Sequence, residues 1–250
     1  MIRISELKLP YDHDEAALLK KIKKTLRLPD NAELKYSLVK RSVDARKKPD
    51  IFYIYTVDVS VSGENAILKK NREKNVVKAH DVEYAFDIFS GNVSGNVKVD
   101  EAQRPVVVGA GPAGLFAALL LAGRGLRPIL IERGSDVDAR TRDVEEFWAT
   151  GKLNTASNVQ FGEGGAGTFS DGKLSTGVND KSGRNAFVLK TFVKYGANPD
   201  ILWDFRPHIG TDVLKKVVKN IRNDIINMGG TVRFPSKRDR MLAAMRMSST

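Results

Sequence analysis

Residues 106–132 read V-V-V-G-A-G-P-A-G-L-F-A-A-L-L-L-A-G-R-G-L-R-P-I-L-I-E, and this stretch decides the fold. Gly109, Gly111 and Gly114 stand in the G-x-G-x-x-G spacing. A β-branched run, Val106 to Val108, precedes them and an apolar helical run follows. A second strand-like run, Pro128 to Ile131, ends on the acidic Glu132. Each part has a physical task in gripping a dinucleotide. Gly109 permits the tight turn out of the strand, Gly111 lets a pyrophosphate approach the backbone, and Gly114 lets the helix lie close on the sheet. The helix N-terminus directs N–H groups and partial positive charge at the phosphates, with Pro112 and Ala113 in the same turn. Glu132 is placed to accept hydrogen bonds from ribose hydroxyls. The competing reading is a glycine-rich strand-to-helix turn with no ligand. It leaves three glycines in one turn unexplained, since each costs roughly 0.5–1 kcal/mol of conformational entropy where it is not needed.

The uncharged run from Val106 to Ala122 imitates a membrane span but reaches only the lower limit of about 17 residues, and glycines and Pro112 interrupt it. Strand, turn and buried helix are the better reading, and no membrane partner is expected. The N-terminus lacks an apolar run of signal-peptide length. The 250 residues contain no cysteine, which excludes disulfides, thiolate metal sites and dithiol redox centres within them. A cytoplasmic protein is expected. No triplet of His, Asp or Glu has metal-ligand spacing, so no metal is expected.

Outward from the fingerprint, residues 1–80 read as a separate α+β domain. Ile2–Leu9, Leu34–Val43, Ile51–Val61 and Val76–His80 have strand character. Asp14–Leu28 and Glu64–Lys74 have helical character, and Asp44–Asp50 suits an exposed loop. The order βαββαβ predicts a ferredoxin-like sandwich. Residues 81–104 read as a linker. The expected fold is therefore α/β: a Rossmann-like FAD/NAD(P)-binding domain with a parallel sheet over 105–237, preceded by the small domain. An irregular tail occupies 238–250. Within 105–237, Asp136–Thr150, Asn185–Tyr195 and Thr211–Met228 read as helices. Ile201–Phe205 and Thr231–Phe234 read as strands.

A second glycine-rich element, F-G-E-G-G-A-G-T-F-S-D-G-K-L, spans Phe161 to Leu174. Glycines at 162, 164, 165 and 167 suggest close backbone approach to something flat or anionic; the alternative is a mobile glycine loop. Asp171 and Lys173 are the nearest polar candidates for tuning or proton transfer. His208, after Pro207 in a turn leading to a helix, is a further weak candidate for a catalytic role.

Taken together, the N-terminal α+β unit, R-P-V-V-V-G-A-G-P-A-G-L-F-A-A-L, I-E-R-G, G-E-G-G-A-G-T-F-S-D-G-K-L and P-H-I-G-T-D resemble the poorly characterised bacterial FAD-dependent dehydrogenases. These belong to the two-dinucleotide-domain flavoproteins, and the resemblance covers residues 1 to 237. It implies FAD on the fingerprint, with Gly109, Gly111 and Gly114 facing the pyrophosphate. It also implies Glu132 on the adenosine ribose, Arg133 near the adenine, and Gly164, Gly165, Ala166 and Gly167 against the flavin side. The strand Thr231–Phe234, with Val232, would pass the adenine. The implied activity is that of an FAD-dependent oxidoreductase, with NAD(P)H a candidate electron donor and the substrate or acceptor unspecified. Members continue beyond the last strand here with a substrate- or nicotinamide-binding region and a late Gly-Asp segment. The chain accordingly reads as an N-terminal half, truncated or frame-shifted, with impaired cofactor retention. An NAD(P)-dependent enzyme on the same fingerprint is the alternative, followed by a non-enzymatic basic module that docks RNA or protein.

The net charge of +11 and pI near 9.7 raise the nucleic-acid question. The basic residues sit in the flanks, interleaved with acids and without an RNA-binding aromatic signature, so solvated surface is the favoured role. Little affinity for RNA at physiological salt is expected; a filter-binding assay showing tight binding with a steep salt slope would reverse that assignment.

Overall fold

A computed structural model describes residues 1–71, 73–80, 82, 84, 100–170, 172–174 and 180–235. They fall into two units. One takes residues from 1–84, 174–190 and 198–208; the other takes residues from 85–173, 191–197 and 209–250. Most of 81–104 and all of 238–250 lie outside the described residues, as does Asp171.

In the first unit, β1 (Ile2–Pro10), α1 (Glu15–Leu26), β2 (Leu34–Lys47), β3 (Asp50–Val61), α2 (Glu64–Lys70) and β4 (Val76–Lys78) follow one another. The sheet order is β2-β3-β1-β4 with every pair antiparallel, the arrangement a βαββαβ sandwich requires. In β1, Ile2 and Ile4 face the core, and then the phase changes so that Leu7 and Leu9 do. A bulge absorbs the change between Ile4 and Leu7, with Glu6 at φ 58°. The helix α1 is fixed at its start by the Asp14 carboxylate, which accepts from Ala17 N–H at 2.7 Å. Its buried stripe of Leu18, Ile22 and Leu26 meets Val57 and Val59 of β3 in one core. On the opposite sheet face, Arg3 and Asp58 form a two-point ion pair, both contacts at 2.7 Å. The expected exposed hairpin loop over 44–50 is present but shorter: β2 and β3 pair down to Lys47 and Asp50, after a register shift beyond Asp44, which leaves Lys48 and Pro49 as the turn.

The run Ile201–Phe205 is not a strand. Pro199 has no N–H to give a ladder, Asn198 caps a single 3-10 turn over Pro199–Leu202, and only Asp204 bridges β2. Trp203 O accepts from Arg41 N–H at 2.7 Å and Phe205 N–H donates to Arg41 O at 2.9 Å. Residues 198–208 thereby group with the N-terminal unit rather than with the glycine fingerprint.

In the second unit, β5 (Val106–Val108), β6 (Ile129–Ile131) and β7 (Thr231–Arg233) make a parallel sheet in the order β5-β6-β7. The connections hold α3 (Pro112–Gly123), α4 (Val137–Thr150), α5 (Arg184–Lys194), which the unit boundary divides, and α6 (Thr211–Asn227). The helix α3 carries no charge and buries Leu115, Ala118, Leu119 and Ala122. It packs on α6, whose apolar stripe of Leu214, Val217, Val218, Ile221 and Ile225 is buried. Leu130 at the sheet centre is fully buried. The alternate face is open: Val106 and Val108 are 56% and 83% exposed. No helix among the described residues is long and apolar enough to cross a membrane.

These environments predict opposite mutational outcomes. Ile4→Ala should cost about 2–5 kcal/mol by removing core contacts, whereas Val108→Thr should change stability by less than about 0.5 kcal/mol. Urea denaturation of the two variants checks both.

Candidate dinucleotide site

The site is built where β5 ends. Gly109 has φ 96°, and its N–H donates to Ile131 O at 2.7 Å, tying the turn to β6. Gly111 is extended and stands at the N-cap of α3 without a capping side chain. A Cβ on Gly111 would meet nothing within 4 Å, so its bare face looks into open space. A Cβ on Gly114 would lie 1.8 Å from Gly109 O, so this glycine sets the distance between helix and turn. Pro112 occupies the first helical turn, where its missing N–H costs nothing. Pro112 and Ala113 are exposed at the mouth of the turn.

Glu132 follows β6 directly, with its N–H donating to Arg233 O of β7 at 2.9 Å. The carboxylate is buried and points back at the turn. One oxygen accepts from Ala110 N–H and the other from Gly134 N–H, each at 2.7 Å. Arg133 is exposed beside it and stacks over the Phe161 ring at 4.1 Å. Val232 is half-buried in β7, paired with Leu130.

The second glycine segment comes to the same place. Gly164 N–H donates to Ala110 O at 2.8 Å, and a Cβ on Gly165 would lie 2.9 Å from Pro112 Cδ. Gly164 and Gly165 have φ of 85° and 68°, in the left-handed region that favours glycine. Ala166 and Gly167 are exposed and open a 3-10 turn over Ala166–Phe169. Lys173 is exposed in this unit, and His208 is exposed in the other unit.

Three residues that hold this arrangement were not singled out by the sequence. Arg140, in the middle of α4, is fully buried. Its guanidinium donates to the carbonyls of Asn158, Val159, Gly162, Glu163 and Gly165 at 2.7–3.2 Å. Burial pulls its pKa down to about 10, against the opposing attraction of Glu132 and Glu163. Glu163, also fully buried, accepts from Val137 N–H at 2.7 Å and from Arg222 of α6 at 2.8 Å, both on one oxygen. Burial raises its pKa to about 7, with Asp136 and Asp138 adding to the rise and Arg222 and the Val137 N–H opposing it. A faint signal existed. Arg140 lies three residues after Val137 and four before Val144, and Arg222 lies four after Val218, so both arginines stand on apolar helix faces.

Two stretches match known domain families. Residues 107–162 match the NAD(P)-binding Rossmann-like domain, and residues 1–60 match a domain of unknown function (DUF8436). The chain is 46% identical over 240 residues to an uncharacterized protein of Clostridium beijerinckii. That similarity covers 96% of this chain and 43% of the relative, so the chain spans less than half the relative's length. Residues 107–162 thus form a nucleotide-binding domain of the Rossmann class, with a dinucleotide as its expected kind of cofactor.

The arginine at the centre of the glycine segment is the decisive residue for its shape. Arg140→Met should destabilise the protein by about 3–5 kcal/mol, because buried polar partners lose their donor. Arg140→Lys should recover only part, having three donors for five carbonyls. Thermal melts of the two variants measure the difference.

Proposed function

We propose that the protein is an FAD-binding oxidoreductase, with FAD lying across both glycine elements. The observation that carries this reading is the junction of Gly164 with Ala110 and of Gly165 with Pro112. A cofactor held only at the fingerprint needs no second glycine wall there, whereas one that runs on past its pyrophosphate does. The residues fit such a group: the bare face of Gly111 leaves space, and the first turn of α3 offers uncapped N–H groups.

In this reading Gly109, Gly111, Pro112, Ala113 and Gly114 form the pyrophosphate cradle, helped by the positive end of α3. Glu132 keeps lone pairs beyond its two backbone contacts and takes the adenosine ribose hydroxyls. Arg133, already stacked on Phe161, presents a flat cationic surface to the adenine, with Val232 on the strand alongside. Gly164, Gly165, Ala166 and Gly167 line the path toward the flavin. Bound FAD would supply the hydride or electron transfer, while the chain positions it and keeps water from the pyrophosphate. NAD(P)H is the proposed electron donor. The alternative places NAD(P) itself on the fingerprint, and the description of the matching domain family supports keeping it.

The test uses Gly111→Ala. A methyl group there meets open space at φ −71°, so the variant should melt with the wild type. It should still bind FAD at least about tenfold more weakly, a loss of ~1.4 kcal/mol, because the methyl blocks the pyrophosphate. Flavin fluorescence titration reads the affinity. Weak FAD binding by the wild-type chain fits the impaired retention expected from its sequence; no FAD binding at any concentration would reject this reading, and binding of NAD(P) alone would favour the alternative.

A further inference from the structure

Glu163 carries one feature that the cofactor contacts do not use. Its carboxyl is fully buried, and Oε2 takes both the Val137 N–H and Arg222. Oε1 has no hydrogen-bond partner among the described residues. A buried carboxylate with one bare oxygen is costly, and a proton on that oxygen removes the charge. The surroundings are balanced between signs. Asp136 and Asp138 at the start of α4 oppose the anion, with Asp138 paired to Lys219 of α6 at 2.7 Å. Arg222 favours the anion, and Arg140 holds the Glu163 backbone carbonyl at 2.7 Å.

Glu163 also sits next to the junction. The following N–H, of Gly164, holds Ala110 of the fingerprint turn, and its own N–H holds Ser135 O at 3.1 Å. The carboxylate itself lies against Val137 N–H and Arg222, and a negative charge in that buried setting of low dielectric opposes a second anion brought to the fingerprint turn.

We propose that Glu163 is a proton-linked positioning residue: its neutral form holds the glycine segment in the state that accepts the dinucleotide, and loss of its proton weakens cofactor binding. This rests on the dinucleotide reading above. Two consequences follow from linkage. Cofactor binding takes up protons near neutral pH. Stability is highest with the proton bound and declines as pH rises from the ordinary carboxylate range toward about 7. Carboxylates held low by ion pairs, such as Glu101 beside Arg104 and Arg127, lose their contribution only at more acid pH and leave this window flat.

The experiment compares the full wild-type chain with Glu163→Gln from pH 5.5 to 8.5. FAD is the probe, because its pyrophosphate does not titrate in that interval. Wild-type affinity should fall about tenfold as the pH rises above about 7, whereas the melting temperature without cofactor should fall as the pH rises toward about 7 and level off beyond it; the glutamine variant should hold both flat. Equal pH slopes of affinity in the two proteins would overturn the proposal. If the variant does not fold, calorimetry of FAD binding to the wild type in buffers of different ionisation enthalpy decides the matter. Proton uptake near pH 7 supports the proposal, and none overturns it. Failure of FAD to bind at any pH rejects the FAD reading, and the same pH series with NAD(P) then decides the coupling: failure of both rejects the dinucleotide reading and the coupling with it. A pH-dependent melt that disappears in Glu163→Gln would still place the proton on Glu163.

Discussion

The second unit depends on how one guanidinium satisfies a buried stretch of irregular backbone. Residues 157–165 make neither helix nor strand, yet Ser157, Asn158, Gly162, Glu163 and Gly164 are buried. Buried carbonyls need donors, and an irregular segment cannot supply them from a ladder of its own. Arg140 supplies them from α4 through five contacts. Arginine suits this task because its five N–H groups lie in one rigid plane. The glycines follow from the same constraint. A Cβ on Gly162 would lie 2.5 Å from Arg140 Cδ, and one on Gly134 would lie 2.5 Å from Gly162 Cα. The close approach of these loops to the arginine is what brings Gly164 and Gly165 onto the fingerprint turn.

Much of this was legible in the chain because local chemistry and tertiary structure agree. Three glycines between a β-branched run and an apolar run have one economical arrangement, and Glu132 then falls beside Ala110. The bulge in β1 was not read from the sequence, although the I-x-I-x-x-L-x-L spacing carries it. Asp14 and Asp136 announce their helices as capping residues. The sequence failed where long-range contacts override local pattern. Ile201–Phe205 has the apolar content of a strand, but Pro199 and the single bridge to Arg41 leave it no ladder. The loop expected at 44–50 is only the turn Lys48-Pro49 because β2 and β3 extend their pairing through polar residues. Arg140, Glu163 and Arg222 were invisible for a deeper reason: nothing in a polar side chain's neighbours along the chain says that it will be buried. Their partners lie 18 to 59 residues away.

The glycine segment thus combines a rigid and a variable element. Arg140 stays charged across the physiological range, its pKa of about 10 lying well above neutrality. Glu163, in the same loop, lies close to its midpoint there. The backbone shape is therefore held by a permanent charge, and the local potential is set by an adjustable one. Separating the two roles allows the potential to change without dismantling the loop.

The bridge between Arg41 and Asp204 bears on what counts as a module in this chain. The strand β2 lies at the margin of its sheet, and among the described residues its outer backbone groups at Arg41 are closed by 203–205, more than 160 positions later. A fragment ending near residue 84 would carry all four strands and both helices of the sandwich and still lack its border. Bare N–H and C=O groups along a sheet margin invite pairing with a second chain. The N-terminal sandwich is thus complete in topology but not in its hydrogen bonding, and its independence as a folding unit is less than its element order suggests.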